Sequence, residues 1–335
     1  MLFVVLTTIQ EPTRSAIRVA ERVSSIGASL IVAGDRKGPK RFDAIGAHLL
    51  TLDQQVATGF ELARDLPVNH YARKNIGYLA ALQRGATCIY ETDDDNAPND
   101  SWVVREREVR ARVCADRPWA NVYRLYSDAV IWPRGFPLEH ITNRATYENL
   151  CGEDTRTVDA PIQQGLADNS PDVDAVWRLT SERPFHFTAG PSVWLAPGTW
   201  CPFNSQTTWW WPPAFPLLYL PSLCSFRMTD IWRSFVAQRC LWATDRGLVF
   251  HGPEADQERN EHNLLRDFED EVPGYLSNQR IVTALNGLTL DRGDDAISSN
   301  LLRCYEELVR SNVIPEKELD LVRAWIADLH RLGRL

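Results

Sequence analysis

The sequence predicts an α/β protein: a mixed, mostly parallel sheet flanked by helices, with a helical C-terminal extension. Three observations lead there. Short apolar, β-branched runs alternate with helical stretches from residue 3 to residue 91. Three consecutive carboxylates, Asp93-Asp94-Asp95, directly follow one such run, Ala86-Thr87-Cys88-Ile89-Tyr90. Residues 275–335 read as mainly helical.

In chain order, residues 3–6 read as the first strand and residues 7–12 as a polar loop. Residues 13–25 read as a helix with Ile17, Ala20 and Val23 on one face. Residues 29–33 form a second strand, ending in Gly34-Asp35-Arg36-Lys37-Gly38-Pro39, and residues 49–52 a third. Residues 71–83 form a helix with Arg73, Lys74 and Asn75 in its first turn, leading into the strand that delivers Asp93. Such β-α-β-α-β order implies parallel strands with the ligand at their C-terminal edge. The chain has no G-x-G-x-x-G and no P-loop signature, which disfavours a dinucleotide or P-loop protein.

Residues 101–116 alternate Arg and Glu and read as a solvated charged helix, with edge strands at 121–126 and 130–133. Residues 161–165 and 171–175 read as loops beside the site. Residues 191–197 read as a strand. Residues 202–213 read as an aromatic loop whose Trp209, Trp210 and Trp211 cannot all enter one core face. At least one is expected to be exposed or to cover a pocket, where it either stacks on sugar or packs on the domain. Thr229 is the expected N-cap of a helix running to about residue 241, with Asp230 in its first turn. A carboxylate there either answers the helix dipole or presents a base into a cleft. Residues 247–253 form a short strand carrying His251. Residues 316–335 form an amphipathic helix with Leu319, Val322, Ile326 and Leu329, suited to packing on the domain or to a homodimer contact.

The acidic triplet is the main chemical signal. Three adjacent carboxylates repel one another, and a hard divalent cation relieves that through oxygen ligands. If the strand continues, Asp93 and Asp95 face the same way and share the ion. With 36 basic and 44 acidic residues among 335, the net charge of −8 argues against nucleic acid as partner. Seven cysteines without a C-x-x-C pair suggest a reducing compartment and no structural zinc. The N-terminus lacks a basic leader and no window is long enough for a membrane span. The expected setting is cytoplasmic, or a soluble domain cut from a larger biosynthetic enzyme.

Several stretches together carry a family resemblance: Val5-Leu6-Thr7-Thr8-Ile9, Val32-Ala33-Gly34-Asp35-Arg36-Lys37, Ala72-Arg73-Lys74-Asn75-Ile76-Gly77-Tyr78, Glu91-Thr92-Asp93-Asp94-Asp95-Asn96, Pro171-Asp172-Val173-Asp174-Ala175, Phe203-Asn204-Ser205-Gln206 and Asp230-Ile231-Trp232-Arg233. The chain resembles the bacterial relatives of the plant STELLO proteins, of the glycosyltransferase GT-A type. It is more distantly similar to the reversibly glycosylated polypeptides, the UDP-arabinopyranose mutases. The resemblance covers about residues 3 to 255 and leaves the last eighty or so unmatched.

The resemblance implies a GT-A-like domain over residues 1–260, with a nucleotide-sugar half (1–130) and an acceptor half (131–260), then a helical region over 261–335. It implies a metal-dependent glycosyltransferase that moves a sugar from a nucleotide-sugar donor to a glycan or other hydroxyl acceptor, for instance in polysaccharide biosynthesis. Mn²⁺ or Mg²⁺ would sit on the D-x-D motif, Asp93 and Asp95, with His251 as a late ligand and with Asp93 and Asp94 against the donor. Arg73 and Lys74 would face the diphosphate. Thr7, Gln10, Arg14 and Asp35 would surround base and ribose, and Asp230 would be the general base. A nucleotide-sugar mutase and a noncatalytic scaffold of the same fold are the alternatives.

Overall fold

The computed structural model describes residues 1–181, 184–259 and 263–334. Its first layer follows from the apolar runs. Strands β1 (Leu2–Thr7), β2 (Ser29–Ala33), β3 (Ala47–Leu50) and β4 (Cys88–Glu91) lie in the order β3-β2-β1-β4, all parallel. β1 and β2 are apolar on both faces because helices cover both, whereas the edge strand β3 leaves His48 exposed. Val4, Leu6, Leu30 and Val32 share a core with helix α1 (Arg14–Ser25), and Phe3, Val5 and Ile31 share another with α4 (Lys74–Gln83). Two short helices, α2 (Leu52–Ala57) and α3 (Glu61–Asp65), fill the connection from β3 to α4. Thr13 caps α1 by accepting from the Ala16 amide. The buried stripe of α1 is Ala16, Val19, Ala20 and Val23; Ile17, expected on that face, is exposed.

The chain continues through β5 (Asn96–Pro98), β6 (Glu108–Cys114), β7 (Thr155–Asp159), β8 (Ile162–Asp168), α5 (Ala175–Thr180), β9 (Val193–Leu195), β10 (Thr208–Trp210), α6 (Thr229–Trp242) and β11 (Leu248–Gln257). The sheet extends as β4-β10-β8-β11-β9-β6-β7, with β5 paired to β11. β10 runs antiparallel to both neighbours, so the parallel N-terminal half becomes mixed beyond β4. Helices α7 (Leu264–Asn286), α8 (Ile297–Arg310) and α9 (Glu318–Arg331) follow. Their Leu285, Leu301, Leu308, Val322 and Trp325 belong to the same core as Phe3 and Ile76. The expected boundary at 260/261 falls on residues outside the described ones. No helix among the described residues is long and apolar enough to cross a membrane.

Several expectations are corrected. Within residues 101–116 there is no helix; Val109, Ala111 and Val113 alternate with Arg110 and Arg112, a period of two, and form β6. Residues 121–126 hold a 3-10 turn, Val122–Leu125, and residues 130–133 form no strand. Residues 161–165 open a central strand, β8. Its Gln163 and Gln164 are buried because side-chain and backbone partners satisfy their amides. Gly165 lies so close to β11 that a Cβ would stand 2.3 Å from the Glu254 side chain. The tryptophan triplet is likewise not an exposed loop. Trp209 and Trp210 sit in β10, mid-sheet, and point into opposite cores; Trp211 is buried beside them. Three tryptophans indeed do not share one face, but a strand covered on both sides has two. The triplet therefore borders no acceptor cleft. The N-cap of α6 is Met228 rather than Thr229.

Cys114 and Cys151 form a disulfide, which corrects the all-thiol expectation drawn from spacing alone. It ties the end of β6 to a loop 37 residues away in sequence. Closing a loop of that length restricts the unfolded chain, so Cys151→Ser should lower stability by about 2–4 kcal/mol in urea unfolding. An unchanged midpoint would show that the bond does not form in solution.

Candidate active site

A half-open cavity of about 400 Å³ lies at the C-terminal ends of β1, β2 and β4. It falls within the range of about 300–1,000 Å³ usual for small-molecule sites. Thr7, Thr8, Ile9 and Gln10 follow β1, Asp35 and Lys37 follow β2, and Asp93, Asp94 and Asp95 follow β4. Asn69, His70 and Tyr71 enter just before α4. The remaining wall comes from residues beyond β6: Arg134, Gln206, Phe226, Arg227, Asp230, Gln257 and Arg259.

The three carboxylates occupy a turn between β4 and β5 rather than a strand, closed by the Asn96 amide donating to the Asp93 carbonyl at 3.3 Å. The alternation expected of them does not apply, yet all three line the cavity. Asp93 Oδ1 accepts from Lys74 Nζ and from the Tyr71 hydroxyl, at 2.9 and 2.7 Å. Asp94 accepts from Thr8 Oγ1, and its carbonyl from Thr13 Oγ1. Asp95 accepts from Asn96 Nδ2 at 2.8 Å and Gln257 Nε2 at 3.0 Å. Burial raises the pKa of Asp93, and Lys74 opposes it. Burial, then the charges of Asp93 and Asp94, push Asp95 up to about 7. Asp35 accepts from the Asn69 and His70 amides at 2.7 and 2.8 Å, so it shapes the β2 loop while facing the cavity.

The distant sequence stretches meet beneath this turn. Glu91, at the end of β4, is fully buried and takes both terminal guanidinium nitrogens of Arg233, at 2.7 and 2.9 Å. It also accepts from Trp210 Nε1 and the Tyr78 hydroxyl. Arg134 spans Asp172 and Asp230, with two contacts to each between 2.8 and 3.0 Å. The two carboxylates hold the buried Arg134 guanidinium protonated, its pKa raised well above the usual value. Asn204 Nδ2 donates to Asp172 at 2.9 Å, and Arg227 pairs with Glu271 on α7 at 2.8 Å.

Of the residues read from sequence, Thr7, Gln10, Asp35, Asp93, Asp94, Asp95 and Asp230 line the cavity. Lys74 lies directly behind Asp93. Three do not join them. Arg73 is buried and spends its guanidinium on Gln55 and the carbonyls of Ala63 and Leu66, a structural anchor for the segment before α4. Arg14 is largely exposed, with only a 3.9 Å contact to Glu258. His251 is buried within the sheet, its nitrogens bonded to Ser192 Oγ and Gln163 Oε1 at 2.7 and 2.9 Å, and burial lowers its pKa well below the usual value. It does not face the acidic turn and is not a ligand there. Arg134, Arg227, Arg259, Tyr71, Thr8 and Gln257 were not anticipated. Only Tyr71 had a local signal, three residues before Lys74 on one helical turn.

Carboxylates and guanidinium groups converge at the C-terminal edge of a parallel layer, the place where open α/β sheets take their ligands. The chain resembles the STELLO glycosyltransferases along nearly its whole length. The family model of the STELLO glycosyltransferases matches residues 227–334, which reaches into the segment that had shown no recognisable motif. "Probable glycosyltransferase STELLO2" of Arabidopsis thaliana is 28% identical over 337 residues, and "Probable glycosyltransferase STELLO1" of the same plant 26% over 330. Each alignment covers 92% of this chain and 42% of the relative, so the chain spans well under half the length of the curated relatives it matches. A solved mycobacterial protein aligns over 94% of this chain and 76% of its own, with 10% identity and a TM-score of 0.40, too slight a likeness to carry an argument.

Proposed function

We propose that this chain is a metal-dependent glycosyltransferase that moves a sugar from a nucleotide-sugar donor to a glycan or other hydroxyl acceptor. The observation that carries the reading is the convergence of Asp93, Asp94, Asp95 and Asp230 on one cavity at the strand C-termini. The relatives' printed names support it.

Among the described residues no three His, Cys, Asp or Glu side chains form a ready metal cage. The donor set fits a different mode, in which one or two carboxylates and the phosphates of the substrate share a hard cation. Burial first, then the charges of Asp93 and Asp94, raise the pKa of Asp95, and a cation bound there would relieve that penalty. Asp93 and Asp95 would hold Mn²⁺ or Mg²⁺, which when bound neutralises charge on the departing diphosphate. Lys74 and Tyr71 fix Asp93 in position. Thr7, Gln10 and Asp35 offer hydrogen-bonding groups to base and ribose.

Asp230 would take the proton of the acceptor hydroxyl. Arg134 grips both of its oxygens and sets the direction in which the carboxylate points. Asp230→Asn should keep donor affinity and lose transfer by about 10²–10⁴-fold, the usual weight of a positioned base. Turnover equal to that of the parent would remove Asp230 from the mechanism.

A further inference from the structure

The cations of the cavity are unequal. Lys37 is exposed; Lys74, behind the lining, is paired with Asp93, Arg134 with Asp172 and Asp230, and Arg227 with Glu271. Arg259 differs. Its Nε and Nη1 are buried with no hydrogen-bond partner among the described residues, and Nη2 stands 3.8 Å from Asp267. A buried guanidinium donor without an acceptor is costly, and such a group persists where a ligand completes it. The Oε1 of Gln257, another cavity residue, is also buried and unpartnered.

Position points to the missing partner. Arg259 closes the segment that grips the acidic turn: Gln257 Nε2 donates to Asp95 Oδ2 at 3.0 Å, and the Glu258 amide to the Asp95 carbonyl at 2.8 Å. Asp95 and Arg259 are close enough to attract one another. An oxyanion at this place would meet the cation side of the turn and the guanidinium of Arg259, which lines the cavity, a cationic donor group that suits phosphate.

We propose that Arg259 is the phosphate receptor of the cavity, its guanidinium taking the diphosphate of the donor and of the nucleoside diphosphate that leaves. The proposal rests on the nucleotide-sugar reading above. When the anomeric C–O bond breaks, its electron pair stays on the diphosphate oxygen, and Arg259 faces that growing charge. The acceptor oxygen forms the new bond to the anomeric carbon and its proton passes to Asp230.

The test is calorimetric titration of UDP, GDP, ADP and CDP, and of the four corresponding nucleosides, into the full chain with MnCl₂. The parent, Arg259→Gln and Arg259→Lys are compared. For whichever nucleoside diphosphate the parent binds, Arg259→Gln should weaken binding by about tenfold or more, since a charge-assisted contact is lost. Nucleoside affinity should not change, and Arg259→Lys should recover part of the loss. Without ligand, Arg259→Gln should melt no lower than the parent, because buried donors without acceptors have been removed. Unchanged diphosphate affinity overturns the proposal, as does an equal loss for nucleoside and diphosphate. If the parent binds none of the eight, the nucleotide-sugar reading falls by itself. Inorganic pyrophosphate then decides Arg259: binding by the parent and not by Arg259→Gln supports the subsite, and any other result overturns it.

Discussion

Asp95→Ala is expected to lower divalent-dependent turnover of the donor by on the order of 10²–10³-fold, the weight of losing one well-placed stabiliser of developing charge. The site predicts a second effect of opposite sign. Asp95 is buried beside two like charges, and its pKa stands at about 7 against the ordinary 3.8. Between those values the unfolded chain releases the proton while the folded, metal-free protein keeps it. Stability therefore falls as pH rises through that window, and the whole penalty is present above it. In chelator, Asp95→Asn should raise the melting temperature at about pH 8 and leave it nearly unchanged at about pH 4. A gain equal at both pH values would mean that the cluster is not strained by charge. An apo protein that becomes more stable as it becomes less active is the behaviour of a carboxylate kept for a ligand.

Arg233→Met should destabilise the fold by about 3–5 kcal/mol in urea unfolding, because it strands Glu91 in the core. The pair is inaccessible: Arg233 stacks 4.9 Å from Trp210 and also donates to Ser205 Oγ at 2.9 Å. Glu91 is two residues from Asp93, so the same pair sets where β4 ends and the acidic turn begins. The double variant Glu91→Leu with Arg233→Met should recover part of the loss, since neither charge then remains unpaired. A single variant as stable as the parent would show that the pair does not hold the turn.

The N-terminal half of this architecture was legible because its signals are local. Val4, Leu6, Leu30 and Val32 announce buried strands, and Ala20 and Val23 announce the stripe of α1, although Ile17, read with them, is exposed and Ala16 and Val19 take its place. The acidic turn was legible as chemistry, although its backbone is a turn and not a strand. What escaped was set by partners distant in sequence. Gln163 and Gln164 make β8 look like a loop until Arg107, Asn204 and His251 are seen beside them. Arg73 and His251 carry the right chemistry for a site, but their nitrogens are consumed by Gln55 and by Ser192 and Gln163. Conversely Arg134, Arg227 and Arg259 have no motif, since each reaches the cavity from a different connection, and Arg134 and Arg227 are fixed there by carboxylates of other elements. The period-two pattern of β6 was present in the sequence; the alternating charges around it masked it.

The most direct test of the account is the binding of a panel of nucleotide sugars to the parent chain with and without Mn²⁺, followed by calorimetry and by NMR of the released products. The account predicts saturable binding that requires the divalent ion, slow release of nucleoside diphosphate, and loss of both when Asp93 and Asp95 are replaced together by alanine. Binding that is indifferent to Mn²⁺, or that survives the double replacement, would contradict it.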